Sequence, residues 1–153
     1  MGSALVERSM GIEKIAVLGA GQMGNGIAQV AACAGYDVTM IDIKQEYVDK
    51  GLAAIENSLS RVVKKERMTA EEAANALARV KIATDKSAAA DADLVVEAIP
   101  EIPELKFSTF AELDQICKPE AILASNTSSI SINAIAAATS RPDRVIGMHF
   151  MNP

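Results

Sequence analysis

From residue 12 onward, short unbroken apolar runs alternate with longer stretches in which apolar residues recur at helical spacing. "KIAVLG" from Lys14 is an unbroken run closed by glycine, the pattern of a strand buried on both faces. "QMGNGIAQVAACAG" follows, with Met23, Ile27, Val30, Ala31 and Ala34 on one helical face and Gly35 as a stop. "DVTMID" then reads as a second strand. A helix that returns the chain between two strands makes them parallel.

The next stretch, Gln45 to about Glu66, spaces Val48, Leu52, Ile55, Leu59 and Val62 by threes and fours and predicts a long amphipathic helix. "MTAEEAANALARV" opens another, with Thr69 as N-cap and Glu72 completing a capping box. The two predict a helical extension over about residues 45–80, inserted before the next strand. After "VKIAT" the alternation resumes. It predicts a strand from Ala92 to Ile99, a helix from Pro103 to Ile116, a strand ending at Ser125, a helix from Ile132 to Ala138, and a last strand over "RVIGMHF". Such alternation predicts an α/β fold: a Rossmann-type doubly wound, mostly parallel sheet with a helical-hairpin extension after the second strand.

Length and composition narrow this picture. A chain of 153 residues buries one ordinary core, so a single domain is expected over residues 12–153. Residues 1–11, with Met-Gly pairs at Met1 and Met10, read as a leader or tag remnant. An aromatic share of 3% and a net charge of −5 argue against a nucleic-acid reader or an anionic membrane partner. No apolar run is long enough to span a bilayer and the start lacks a secretory core, so a cytoplasmic location is expected. Cys33 and Cys117 fit no zinc or redox spacing and read as two buried, reduced thiols. With a single histidine, no metal site is expected.

The first strand-to-helix junction carries chemistry. "GAGQMG" sets Gly19, Gly21 and Gly24 in a G-x-G-x-x-G array, with Gln22 and Met23 between the last two glycines. The glycines suit a tight turn, room for a pyrophosphate against bare backbone, and close helix packing, and the helix N-terminus favours an anion. Asp42 closes the second strand, where a carboxylate can accept from a ribose 2′-hydroxyl and repel a 2′-phosphate. Together they predict a dinucleotide site that prefers NAD to NADP, although Lys44 nearby would soften that preference.

Four segments, "VLGAGQMGNGIAQVAACAGYDVTMID", "DLVVEAIPE", "ASNTSSISI" and "HFMNP", occur in an order and at separations that resemble the NAD-binding domain of the L-3-hydroxyacyl-CoA dehydrogenases, including the 3-hydroxybutyryl-CoA members. The resemblance covers nearly all of Ile12 to Pro153 and implies oxidation of the 3-hydroxyl of an acyl-CoA thioester, with hydride passed to NAD. It implies that His149, the only histidine, is the general base, a role suited to imidazole near neutral pH. It places Asn126 and Ser128 beside the nicotinamide and the substrate oxygen, and Glu97 and Lys106 along the ribose and nicotinamide side. Asn152 would help hold the histidine region, and Ser58 and Lys65 are candidates for the CoA phosphates. The bland alternatives are a strand-end acid for Glu97, a helix cap for Ser128, a turn residue for Asn126, surface residues for Lys106 and Asn152, and a solvated helix face for Lys65.

The resemblance also implies an orienting glutamate shortly after the histidine and a C-terminal substrate and dimerisation domain, both beyond residue 153. The expectation is a polypeptide that binds cofactor without efficient turnover, whose intact parent is a homodimer acting on acyl-CoA. The alternative is the cofactor domain of a related two-domain dehydrogenase acting on a sugar acid or branched hydroxy acid, since a fold of this type does not fix the substrate.

Overall fold

A computed structural model describes residues 11–150. The leader reading at Met1 and Met10 and the candidate Asn152 lie outside the described residues. Six strands form one sheet: β1 (Lys14–Leu18), β2 (Asp37–Ile41), β3 (Val80–Ala83), β4 (Leu94–Glu97), β5 (Ile122–Ser125) and β6 (Val145–Gly147). Their order is β3-β2-β1-β4-β5-β6 and all five pairings are parallel, so the sheet is wound outward in both directions from β1 and β4. The expected doubly wound architecture is present.

Five α-helices connect the strands: α1 (Gln22–Cys33), α2 (Gln45–Lys64), α3 (Ala70–Ala78), α4 (Pro103–Ile116) and α5 (Ile132–Ala137). Alternate residues of each strand feed two cores. Ile15, Val17, Val38, Met40 and Val96 pack with α1, α2 and α3 on one face. Ala16, Leu18, Val95 and Leu123 pack with α4 and α5 on the other. Fully burying such a side chain contributes roughly 1.5–3 kcal/mol, so both faces of the sheet are strongly specified.

The helix pair α2 and α3 lies after the second strand as expected. It packs on α1 and leads directly into β3, so the pair is also the crossover between β2 and β3. That strand is "VKIA", a segment the periodicity leaves without an element. The capping box at Thr69 and Glu72 is present in both directions. Along α2, Val48, Ile55 and Leu59 are buried, as the spacing predicts.

Three expectations need correction. Val30 is 60% exposed, and the face of α1 that meets the sheet is Gly24, Ile27, Ala28 and Ala32. Small residues let the helix approach closely, so the larger valine falls outside. Cys117 is buried, but Cys33 is exposed at the end of α1, so only one of the two thiols is a core group. The last strand stops at Gly147, three residues short of the predicted end.

Arg141 ties the second half together. Its guanidinium donates to the carbonyls of Asp114, Cys117, Lys118 and Ala121 at 2.7–3.2 Å and pairs with the Asp114 carboxylate at 2.7 Å. Asp114 and Cys117 lie at the end of α4, whose last carbonyls the helix itself leaves unpaired, and Lys118 and Ala121 lie in the turn that leads into β5. The side chain therefore fixes the start of β5 against the approach to β6. Among the described residues no helix is long and apolar enough to cross a membrane.

Candidate active site

The carboxyl ends of β1, β2, β4, β5 and β6 face one edge of the sheet, and the sheet reverses its winding between β1 and β4. A crevice forms at such a reversal because the two connections leave in opposite directions. The residues singled out by the sequence gather here.

Gly19 follows β1 with φ of 107° and donates to the Ile41 carbonyl at 2.8 Å. A Cβ there would lie 2.5 Å from the Ala98 carbonyl oxygen, so this residue threads between β2 and β4. A Cβ on Gly24 would lie 1.9 Å from the Gly19 carbonyl oxygen. The close approach expected at Gly24 is thus between the helix and the turn itself. Gly21 is the N-cap of α1, no side chain caps it, and a Cβ there would meet open space. First-turn N–H groups without a side-chain partner, beside bare backbone, fit the pyrophosphate of a dinucleotide. Gln22 is exposed beside them, and half-buried Met23 turns into the crevice.

Asp42 stands where the sequence puts it, one residue past β2. Its Oδ2 accepts from the Ala20 N–H at 2.9 Å and its Oδ1 from the Ile43 N–H at 2.7 Å. The carboxylate holds the glycine loop against β2, and each oxygen retains a lone pair for a ribose hydroxyl. The Lys44 ammonium lies 5.5 Å from the centre of the Tyr47 ring.

Next to the loop is a cleft of about 350 Å³. Met23, Lys106, Asn126, Ser128 and His149, all singled out from sequence, line it. Ser58 and Lys65 do not. They lie seven positions apart on the same helical stretch, Ser58 half-buried within α2 and Lys65 exposed at its C-cap.

Glu97 does not line the cleft either. It is fully buried at the end of β4, accepting from Ser125 Oγ at 2.6 Å, Lys106 Nζ at 2.6 Å and the Ile99 N–H at 2.8 Å. All its contacts are internal, so it acts on the cleft through Lys106. That lysine is 2% exposed and bridges Glu97 to Glu101, which lies 3.1 Å from Nζ. A buried ammonium is tolerated here because two carboxylates surround it.

Glu101 is the residue that sequence reasoning missed. Its carboxylate accepts from Thr127 Oγ1 at 2.7 Å, the Ser128 N–H at 3.0 Å and Ser128 Oγ at 3.2 Å. Burial works to raise its pKa, but the donors from Thr127, Ser128 and Lys106 outweigh it and hold the carboxyl at about 2. The available signal was the last letter of "EAIPE", but an acid just ahead of a proline-led helix also reads as a solvated loop residue.

Ser128 is exposed in the loop after β5, and the cap of α5 is Ser131, whose Oγ accepts from the Ala134 N–H at 3.3 Å. Ser128 is therefore not the helix cap. Asn126 is more than a turn residue: its Oδ1 accepts from the Phe150 N–H at 2.7 Å, across 24 positions. His149 lies two residues beyond β6, exposed on the cleft wall, with no hydrogen-bond or ion-pair partner among the described residues. No group of three or more potential metal ligands occurs among the described residues.

Residues 14–153 match the family model described as 3-hydroxyacyl-CoA dehydrogenase, NAD binding domain. The chain belongs to this family. It is 54% identical over 140 residues to a probable 3-hydroxybutyryl-CoA dehydrogenase of Deinococcus radiodurans, covering 92% of this chain and 50% of that protein. It is 51% identical over 142 residues to the 3-hydroxybutyryl-CoA dehydrogenase of Bradyrhizobium diazoefficiens. Among solved structures, that of the 3-hydroxybutyryl-CoA dehydrogenase of Escherichia coli superposes with a TM-score of 0.91 at 44% identity, over 93% of this chain and 30% of that one. The chain spans about half the length of these two curated relatives. The domain of this dehydrogenase family is NAD-binding, and the glycine loop with Asp42 is the part of the present fold that fits that cofactor.

Proposed function

We propose that this chain is the cofactor-binding part of a dehydrogenase that interconverts (S)-3-hydroxyacyl-CoA and 3-oxoacyl-CoA. The observation that carries the reading is the convergence of the glycine loop and of His149, Asn126 and Ser128 on one crevice at the carboxyl edge of the sheet. When bound, NAD supplies the hydride acceptor for the oxidation. His149 takes the proton of the 3-hydroxyl, and returns it in the reverse direction. Ser128 and Asn126 orient the reacting oxygen, and Lys106, shared between two carboxylates, holds Glu101 and with it the Ser128 loop at the cleft wall. Ser58 and Lys65 are the proposed contacts for the CoA phosphates, and Asp42 is the proposed ribose acceptor that selects NAD over NADP. Acyl-CoA binding and homodimer formation belong to the longer protein that the relatives represent.

A base works best when a carboxylate orients it, and no described residue does this for His149. The 153-residue polypeptide is accordingly proposed to bind cofactor without efficient turnover. Fluorescence titration with NADH and NADPH tests the cofactor reading: NADH is expected to bind more tightly, and equal or tighter NADPH binding sinks the Asp42 assignment. Steady NADH loss that depends on acetoacetyl-CoA and disappears in His149→Ala would keep the base and overturn the claim of inactivity.

A further inference from the structure

His149 makes no bond of its own among the described residues, and what holds it on the cleft wall there lies in its neighbours. β5 and β6 pair as far as Ser125 and Gly147. One further ladder bond follows, from the Met148 N–H to the Ser125 carbonyl at 2.9 Å. A regular parallel ladder would carry the Phe150 N–H to the next main-chain carbonyl two residues on. Instead Phe150 donates to the side-chain Oδ1 of Asn126 at 2.7 Å. The backbone of Asn126 is itself anchored, its N–H donating to the Glu97 carbonyl at 2.9 Å. A side-chain amide thus replaces the missing rung, and the histidine lies between two held amides. Met148 and Phe150, on either side of it, both pack against the core beneath α1 and α2.

We propose that Asn126 is a positioning residue, whose carboxamide oxygen holds the main chain at Phe150 and thereby keeps the His149 imidazole in the cleft. β6 is only three residues long and lies at the sheet edge, with Ile146 41% exposed. Beyond the Met148 bond and the packing of Met148 and Phe150, the Asn126 bond is the restraint that holds the described main chain past His149. A hydroxyl from serine is too short to span the same gap, and an aliphatic side chain offers no acceptor. The importance of this tether for catalysis rests on His149 being the base, but the tether itself is measured without turnover.

With one histidine in the chain, its imidazole proton resonance is assigned by composition alone. The unaltered protein is expected to show slow Phe150 amide exchange and a His149 resonance displaced from that of a free histidine peptide. Asn126→Ala is expected to speed Phe150 exchange about tenfold, the loss of one hydrogen bond, and to move the His149 resonance toward the peptide value. The Gly19 and Ala98 amides, which bond within the sheet edge, should keep their native exchange and report that the fold is intact. An unchanged Phe150 rate or an unmoved His149 resonance in that folded variant overturns the proposal. If alanine at this position also disturbs the Gly19 and Ala98 amides, Asn126→Asp decides, because it keeps an acceptor: slow Phe150 exchange supports the tether and fast exchange overturns it. Acetoacetyl-CoA-dependent NADH loss that persists in His149→Ala strikes the base assignment and leaves the tether standing, so the two readings fail separately.

Discussion

The two halves of the crevice are built differently. The glycine loop is made from consecutive residues that leave no room for a Cβ at Gly19 or Gly24, and it is closed by a main-chain bond from Gly19 to Ile41 and by Asp42 on the Ala20 N–H. The opposite wall is assembled from loops that meet through side chains: Glu101 reaches the Ser128 loop across 27 positions, and Asn126 reaches Phe150 across 24. The cofactor side is thus fixed by main-chain bonding and steric exclusion. The opposite side is held by replaceable polar bonds around an imidazole that has no partner among the described residues.

The hardest blow to this contrast is Gly24→Ala. With a Cβ 1.9 Å from a main-chain oxygen, the loop must open, costing on the order of 3 kcal/mol and abolishing NADH binding. Thermal unfolding and NADH titration measure both effects, and a variant that binds normally would show that the loop is adaptable after all.

A smaller effect is expected at Glu101. Its carboxyl is held at about 2, below its ordinary value of 4.5, so its contribution is complete above pH 4.5 and is lost as pH falls through about 2. Amide exchange at Ser128, corrected for intrinsic rates, should therefore stay protected near pH 4 and rise toward pH 2. Glu101→Gln should loosen the loop at neutral pH by about 1 kcal/mol, a figure reduced from that of a buried charged bond because the side chain is 37% exposed. Unaltered Ser128 exchange in the glutamine variant would mean that the opposite wall does not depend on this carboxylate.

The mildest change lies outside both walls and sets their baseline. Glu66 adopts φ of 57° in the turn between α2 and α3, where glycine fits without strain. Glu66→Gly is expected to stabilise the chain by about 0.5–1 kcal/mol with NADH affinity unchanged. A loss of stability on chemical denaturation would show that the side chain contributes more than its backbone costs.

The same contrast explains what could be read from the sequence. The glycine array, Asp42, the capping box at Thr69 and the helix from Pro103 to Ile116 are local patterns, and the structure contains them. Asn126, Ser128 and His149 were found through motifs, but their bonding was not, because it depends on which loops meet in space. The resemblance implies a cofactor contact for Glu97, but that Ser125 and Lys106 enclose it depends on which elements meet in space. The last strand was drawn too long because Met148 and Phe150 continue its apolar alternation, whereas after Met148 the rung is supplied by a side chain. β3 escaped notice because a four-residue edge strand interrupted by Lys81 carries almost no periodic signal.

The enclosed pair of Glu97 and Lys106 also constrains how such a chain can diverge. Losing Lys106 alone strands the Glu97 carboxylate in the interior, at a cost of about 3–5 kcal/mol, and losing Glu97 alone leaves the ammonium only the exposed Glu101, whereas replacing both removes the buried charges together. The path between those two states runs through a poorly folded intermediate sequence. These two positions should therefore be inherited as a unit, and libraries built on this domain should vary them jointly.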